Sequence, residues 1–300
     1  MIDDCSTDGT GDYVKGIADE RVRYFRNERN SGQEASRMNG LRHARGKYIT
    51  FLDDDDYCTD YEFFAKALEI FREHEDDEVP LVMVYANAKW LYTDTGREKL
   101  NKIGTPGRVR GLDFVLGRGY SKPPSTFPAV FRADILRQAG LGNKIIFDAL
   151  TYIESSLFGD AWFMGDVIGV YTVHGNSYTL GYKKHNPDLE ARYFKTVSEN
   201  ARRWKHVAEI LHTRTDKRTA DKRYISAMLG FAGYCAVARP SVKDRVKVYR
   251  CILKESGFMP KLWVMITVHC VKSMLRKITP LRKLYRFIKY RMRGKPYPED

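Results

Sequence analysis

The chain has 300 residues, 43% hydrophobic and 13% aromatic, which excludes a disordered polymer and suits one large domain or a domain with an appendage. Its formal net charge of +13 is unevenly placed. Residues 1–180 carry 22 Lys and Arg against 28 Asp and Glu (net −6), whereas residues 181–300 carry 29 against 10 (net +19). A polyanionic surface is therefore the expected partner of the second part.

In chain order, Met1-Ile2 predicts the tail of a strand, and Asp3 to Thr10 a turn that caps a short helix over 10–18. Arg21 to Arg26 alternates like a strand, and Gln33 to Ala44 is helical. Lys47 to Leu52 predicts a strand covered on both faces, as in a parallel sheet. A helix from about residue 60 to Glu73 places Tyr61, Phe64, Leu68 and Phe71 on one face. Val79 to Leu91 is an apolar strand or hairpin, followed by a loop-like stretch through Arg108. Further helices are expected at 111–117, 134–140 and 149–158, and strands at 127–131 and 161–173. Strands alternating with helices indicate an α/β domain over 1–182. Beyond it, helices are expected near 187–212, 217–238, 241–256, 260–277 and 281–292, a basic extension over 183–300.

The strand at 47–52 runs straight into Asp53-Asp54-Asp55-Asp56. In α/β sheets, ligands bind beyond the carboxyl ends of strands. Clustered carboxylates suit a hard divalent cation such as Mg²⁺ or Mn²⁺. Taken alone, such a run is more often a solvated loop, so its neighbours decide. An EF-hand counted from Asp53 needs Gly at its sixth position and Glu at its twelfth, where Cys58 and Phe64 stand. A haloacid-dehalogenase-like phosphatase needs a following Asp-Gly-Thr that is absent.

Those neighbours resemble the family 2 glycosyltransferases over about residues 2–177. Asp3 to Thr10 is similar to that family's D-D-x-S-x-D-G-T. Asn30-Ser31-Gly32, with Ser36 to Gly40, is similar to its N-x-G…A-R-N-x-G. Ala44 to Tyr48 with Phe51 to Asp56 is similar to its A-x-G-x-Y-x-x-F-L-D-x-D-D. The resemblance implies a GT-A-like, Rossmann-like, mostly parallel sheet. It also implies a first strand, a helix and most of a second strand ahead of the D-D-x-S motif, so the domain is expected to be N-terminally incomplete. Implied too is a nucleotide diphosphate sugar as donor, a UDP-sugar by expectation, with a divalent metal, Mn or Mg, neutralising the departing diphosphate.

Residue by residue, the resemblance assigns Asp3 and Asp4 to the nucleobase, Arg37 to the nucleotide, and Asp53 and Asp54 to the sugar nucleotide. Asp55 and His174 become metal ligands. Inverting transfer needs a base for the acceptor hydroxyl. Asp148, eleven residues before Gly159, matches the position of the family's base, although Phe147 replaces the Glu that normally precedes it. Thr172 stands where the family carries an Arg two residues before His174.

Lys261 to Arg293 holds ten Lys or Arg and no acid. Leu281, Leu284, Tyr285, Ile288 and Met292 share one helical face, which predicts an in-plane helix on an anionic membrane surface. No nucleic-acid motif accompanies the charge. Five scattered cysteines without CxxC spacing fit free thiols in a reducing cytoplasm. No signal-peptide pattern opens the chain, and the longest apolar run, Leu262 to Val271, falls short of the roughly 20 residues a bilayer span needs. The expected location is the cytoplasm, peripheral at the inner face of the plasma membrane. The expected acceptor is a glycan or lipid-linked saccharide of a cell envelope. The reading from a different class is a truncated, non-catalytic remnant or a membrane-associated interaction protein.

Overall fold

The computed structural model describes residues 1–141, 148–174, 187–237, 242–257 and 259–275. The chain divides into two units, Met1–His174 and Gly175–Asp300.

In the first unit, β1 (Ile2–Asp3) pairs in parallel with β2 (Phe25–Arg26), and these two form a small sheet of their own. Between them lies α1 (Thr10–Lys15), and α2 (Gln33–His43) follows. The main sheet has seven strands. Its path runs β3 (Tyr48–Ile49), β8 (Ala129–Arg132), β5 (Leu81–Tyr92), β9 (Asp160–Val173), β4 (Tyr57–Cys58). Off this path, β6 (Arg97–Lys99) pairs with β5 and β7 (Gly107–Val109) with β9. The helices of this unit are completed by α3 (Glu62–Glu73), α4 (Gly111–Leu116), α5 (Ala133–Gln138) and α6 (Asp148–Ser155).

The α/β class and the helical C-terminal region are as expected, but the main sheet is mixed rather than mostly parallel. Its one parallel pair is β5 with β9; the remaining pairs are antiparallel. Parallel neighbours need a long crossover, and the chain between β5 and β9 supplies one. By contrast, β5 turns back into β6 through Thr93–Gly96, with Gly96 at φ 65°, so that pair is a hairpin. A helix between two strands favours a parallel pair only when those strands become neighbours, and here β3, β8 and β4 pair with strands distant in sequence while β6 and β7 lie in the stretch expected to be loop.

Strand β5 fits its central place, since Leu81 to Ala88 are all buried. Helix α3 covers it with Phe63, Ala67 and Phe71, residues at i, i+4 and i+8, packed among Val84, Ala86, Ala88, Val130 and Ile168. The expected face led by Tyr61 is corrected: Tyr61 lies before the first turn and is 78% exposed. Strand β3 is also less covered than predicted. It is the last strand of its path, so one side has no neighbour, and Leu52 beyond it is 57% exposed.

Entry into β9 requires a glycine. A Cβ on Gly159 would overlap the Pro80 carbonyl oxygen and crowd Val82. Gly159→Ala is therefore expected to cost about 1–3 kcal/mol in urea unfolding. Gly9→Ala, where the added atom meets nothing within 4 Å, should cost far less.

The second unit is helical: α7 (Pro187–Arg214), α8 (Lys217–Val237), α9 (Val242–Ser256) and α10 (Pro260–Leu275). Helix α7 buries Val197, Ala201, Trp204, Ala208 and Leu211, the spacing of one apolar stripe. Ala220, Tyr224 and Met228 of α8, with Val248 and Ile252 of α9, are buried likewise. The helix predicted at 281–292 lies outside the described residues. Among the described residues no helix is long and apolar enough to cross a membrane.

Candidate functional site

Between β3 and β4 the chain holds only the residues from Thr50 to Asp56, yet these strands end the sheet path on opposite sides. Three strands lie between them, a distance of about 19 Å at the usual spacing. The acidic run must therefore lie across one end of the sheet. Thr50 anchors its start, its Oγ1 donating to the Phe127 carbonyl at 3.0 Å. At the far end, the Asp56 carboxylate accepts from the Thr172 amide at 3.0 Å.

Asp53, Asp55 and Asp56 each bring a carboxylate oxygen within 4.8 Å of the others, a set able to hold a metal ion. Asp54 is exposed and stands outside this set. Asp56 was not anticipated as a member. It is buried, and its Oδ2 has no hydrogen-bond partner. Burial, opposed by the Thr172 amide and reinforced by Asp53 and Asp55, pushes its pKa up to about 7. A buried carboxylate with an orphaned oxygen beside two further carboxylates is the donor set a divalent cation satisfies, so the residues fit that group.

The raised Asp56 pKa makes a signed prediction. Folded Asp56 keeps its proton to about pH 7, whereas its ordinary value is 3.8. The folded state thus binds the extra proton between those values, and this group's contribution to stability falls as pH rises through that window. In metal-free protein, Asp56→Asn should flatten the decline in Tm between pH 5 and 8 and be the more stable form at pH 8. Asp3 does not blur that window. Hydrogen bonds from Ser6 and Tyr24 hold it down to about 2, so its contribution is lost only at far lower pH.

His174 faces the run through Asp55, its Nε2 lying 3.1 Å from Oδ2. Asp53 is engaged from α2. Arg37 Nη2 donates to both its oxygens, at 2.8 and 2.5 Å, and Gln33 Nε2 donates to Oδ2 at 2.5 Å. The other end of the same guanidinium, Nη1, donates to Asp148 at the start of α6, 111 residues away. Arg37 is buried, with a side chain 7% exposed, against 11% for Asp53 and 31% for Asp148. Burial opposes its charge, but Asp148 and Asp53 outweigh that and raise its pKa.

Lys122 is a residue the sequence did not single out. Its ammonium donates to the carbonyls of Pro123 at 3.0 Å and Pro124 at 3.3 Å. Burial pulls its pKa down, and the negative charge of Asp148 works the other way. Nothing in the local sequence except a Lys before two prolines could have marked it. Gln33 carried no signal either. Phe147, beside Asp148, lies outside the described residues.

Asp3 and Asp4 make their contacts elsewhere. Asp3 is buried and accepts from the Ser6 amide at 2.8 Å and from the Tyr24 hydroxyl. Asp4 accepts from Asn27 Nδ2 at 2.7 Å and from the amides of Ser31 and Gly32 at 2.8 and 2.6 Å. Asn39 in turn donates to Asn27 at 2.8 Å. These bonds seat the loop that leads into α2, where the very next residue, Gln33, reaches Asp53. The structure thus brings Arg37, Asp53 and Asp148 together and pairs Asp55 with His174, while the carboxylate of Asp3 is held by Ser6 and Tyr24 and that of Asp4 binds the 27–32 loop.

An α/β domain with a carboxylate cluster laid across the end of its sheet is the class these observations define. Residues 1–128 match the sequence model of Glycosyl transferase family 2. Among similar proteins, a GalNAc(5)-diNAcBac-PP-undecaprenol beta-1,3-glucosyltransferase of Campylobacter jejuni is 22% identical over 295 residues, covering 94% of this chain and 87% of that protein. A UDP-Glc:alpha-D-GlcNAc-diphosphoundecaprenol beta-1,3-glucosyltransferase of Escherichia coli is 44% identical over 57 residues, 19% of this chain and 23% of that protein. Among solved structures, that of S. aureus TarS residues 1–349 is similar with a TM-score of 0.48 and 19% identity, covering 100% of this chain and 83% of that one.

Proposed function

We propose that this protein is a glycosyltransferase that moves a hexose from a nucleotide diphosphate sugar, a UDP-sugar, to a lipid-linked saccharide, with inversion at the anomeric carbon. The observation that carries the reading is Arg37, which joins Asp53 of the acidic run to Asp148. A donor-side carboxylate and a half-exposed carboxylate fit for a base are thereby held on one guanidinium. The lipid-linked acceptors named for the Campylobacter and Escherichia relatives support the acceptor class, and the UDP-Glc donor of the latter supports the UDP donor.

In this reading Asp148 takes the proton from the acceptor hydroxyl, whose oxygen forms the new bond to the anomeric carbon. The bond to the diphosphate breaks on the opposite face, and Asp148 keeps the proton. Asp53, Asp55 and Asp56 would hold Mn²⁺ or Mg²⁺, with His174 oriented on Asp55. When bound, the cation supplies Lewis-acid neutralisation of diphosphate charge. Asp3, Asp4 and Asp54, with Arg37, line the nucleotide-sugar side. Residues 1–182 form the transferase domain and 183–300 a basic helical extension, which works at the inner face of the plasma membrane through 261–293.

The test is turnover over a panel of UDP-, GDP- and dTDP-sugars with a lipid-linked acceptor. UDP-sugar consumption that stops with EDTA and returns with Mn²⁺ or Mg²⁺ is expected. Silence across the whole panel would sink the reading.

A further inference from the structure

In the second unit the helices differ in what they show to water. The exposed residues of α7 from Lys195 onward are Lys195, Arg202, Lys205, His206, Glu209 and the polar end His212 to Arg214. Those of α9 are Lys243, Lys247, Arg250 and Lys254. Helix α10 inverts the pattern. From Lys261 to Val268 only Leu262 and Ile266 are buried, whereas Trp263 is 40%, Val264 62%, Met265 38% and Val268 45% exposed. Among the described residues of this unit, every exposed large apolar side chain stands on α10. At 100° per residue they span more than half the helix circumference, with Lys261 and Thr267 among them.

An apolar face of this kind needs an occupant. A second copy of this chain would set the same cations against each other, because Lys261 to Arg293 holds ten Lys or Arg and no acid. A surface both apolar inside and anionic outside matches both properties at once. Among the described residues no helix is long and apolar enough to cross a bilayer, and a short helix with this exposed apolar face has the make-up of one that lies in the plane of such a surface. Trp263 suits the headgroup level: its indole N–H already donates to the Gly257 carbonyl at 3.0 Å, so ring burial strands no donor.

We propose that the outer face of α10, formed by Trp263, Val264, Met265 and Val268, is a docking surface for an anionic lipid bilayer, entering the headgroup boundary while the neighbouring cations bind lipid phosphate. This deepens the reading of a lipid-linked acceptor and rests on it for its purpose. The physics of docking does not require turnover.

The experiment is co-sedimentation of the full chain with vesicles of phosphatidylglycerol and phosphatidylcholine at low salt, with no donor or acceptor present. Wild type should pellet with anionic vesicles and stay soluble with phosphatidylcholine alone. Val264→Glu and Val268→Glu should each weaken binding by about tenfold or more. Lys254→Glu, twice the change in charge and placed on α9, should weaken it far less. An effect of Lys254→Glu as large as or larger than that of Val264→Glu would reduce the surface to net charge and overturn the proposal. So would no binding, or binding untouched by the α10 variants, the result if another part of the chain covers the face. A concentration-dependent oligomer that Val264→Glu dissolves would assign the face to a second copy instead. Because vesicles replace substrate, a failed sugar panel and a failed docking surface remain separate results.

Discussion

Asp148→Asn is expected to lower kcat by about 10²- to 10⁴-fold, the range general-base removal spans. Asparagine keeps the shape of the side chain and a carbonyl oxygen to accept from Arg37 Nη1, so the link between α2 and α6 survives. What disappears is the ability to take a proton from the acceptor. The donor KM should therefore stay within a few-fold of wild type while kcat collapses, a split that separates a chemical role from loss of fold. Steady-state kinetics with the donor identified by the sugar panel, together with the anomeric configuration of the product, is the measurement. Unchanged kcat in Asp148→Asn would remove this residue from the chemistry. Retention of configuration would remove the single-displacement reading.

Arg37→Met should be the most destabilising substitution in the site. Arg37 Nη2 contacts both oxygens of Asp53 while Nη1 contacts Asp148, and the guanidinium is almost wholly buried. Removing one partner of a buried pair leaves the other charge uncompensated and costs about 3–5 kcal/mol. Here the stranded charge sits beside Asp55 and Asp56, so repulsion adds to desolvation. Urea denaturation should report the loss, and Arg37→Met with Asp53→Asn should recover part of it, because the two residues are coupled. Millimolar Mn²⁺ should raise the Tm of Arg37→Met more than that of wild type, since a cation replaces the missing positive charge. Equal metal shifts in both proteins would argue against a cation site at these carboxylates.

Much of this was written into local sequence. Most of the longer strands and helices follow from periodicity, and the helix expected near 187–212 is found at Pro187–Arg214, whereas the short strands β4, β6 and β7 were not marked. What failed were properties that neighbours decide. The coverage of β3 depends on its being the last strand of its path, and the buried face of α3, Phe63, Ala67 and Phe71, depends on how the helix is set down on β5. Strand direction depends on connections, not on the strands themselves. In the site, the family resemblance singled out Arg37, Asp53, Asp55, Asp148 and His174. Motif order could not say that Arg37 spans Asp53 and Asp148, because that contact joins helices 111 residues apart. Lys122, Gln33 and the buried character of Asp56 arise only from packing, which no short pattern encodes.

The route of the acidic run also fixes a length. Ile49 pairs with Phe131 on one margin of the sheet and Tyr57 with Val170 on the other, so seven intervening residues act as a strap pinned at both buckles. Deleting one residue would demand either a tighter span or a slip of β4 along β9, and a one-residue slip turns every side chain of that strand over. Either adjustment would draw Asp56 away from the Thr172 amide that now receives it. Substitutions within the strap can exchange its chemistry, but its residue count is set by the width of the sheet it crosses.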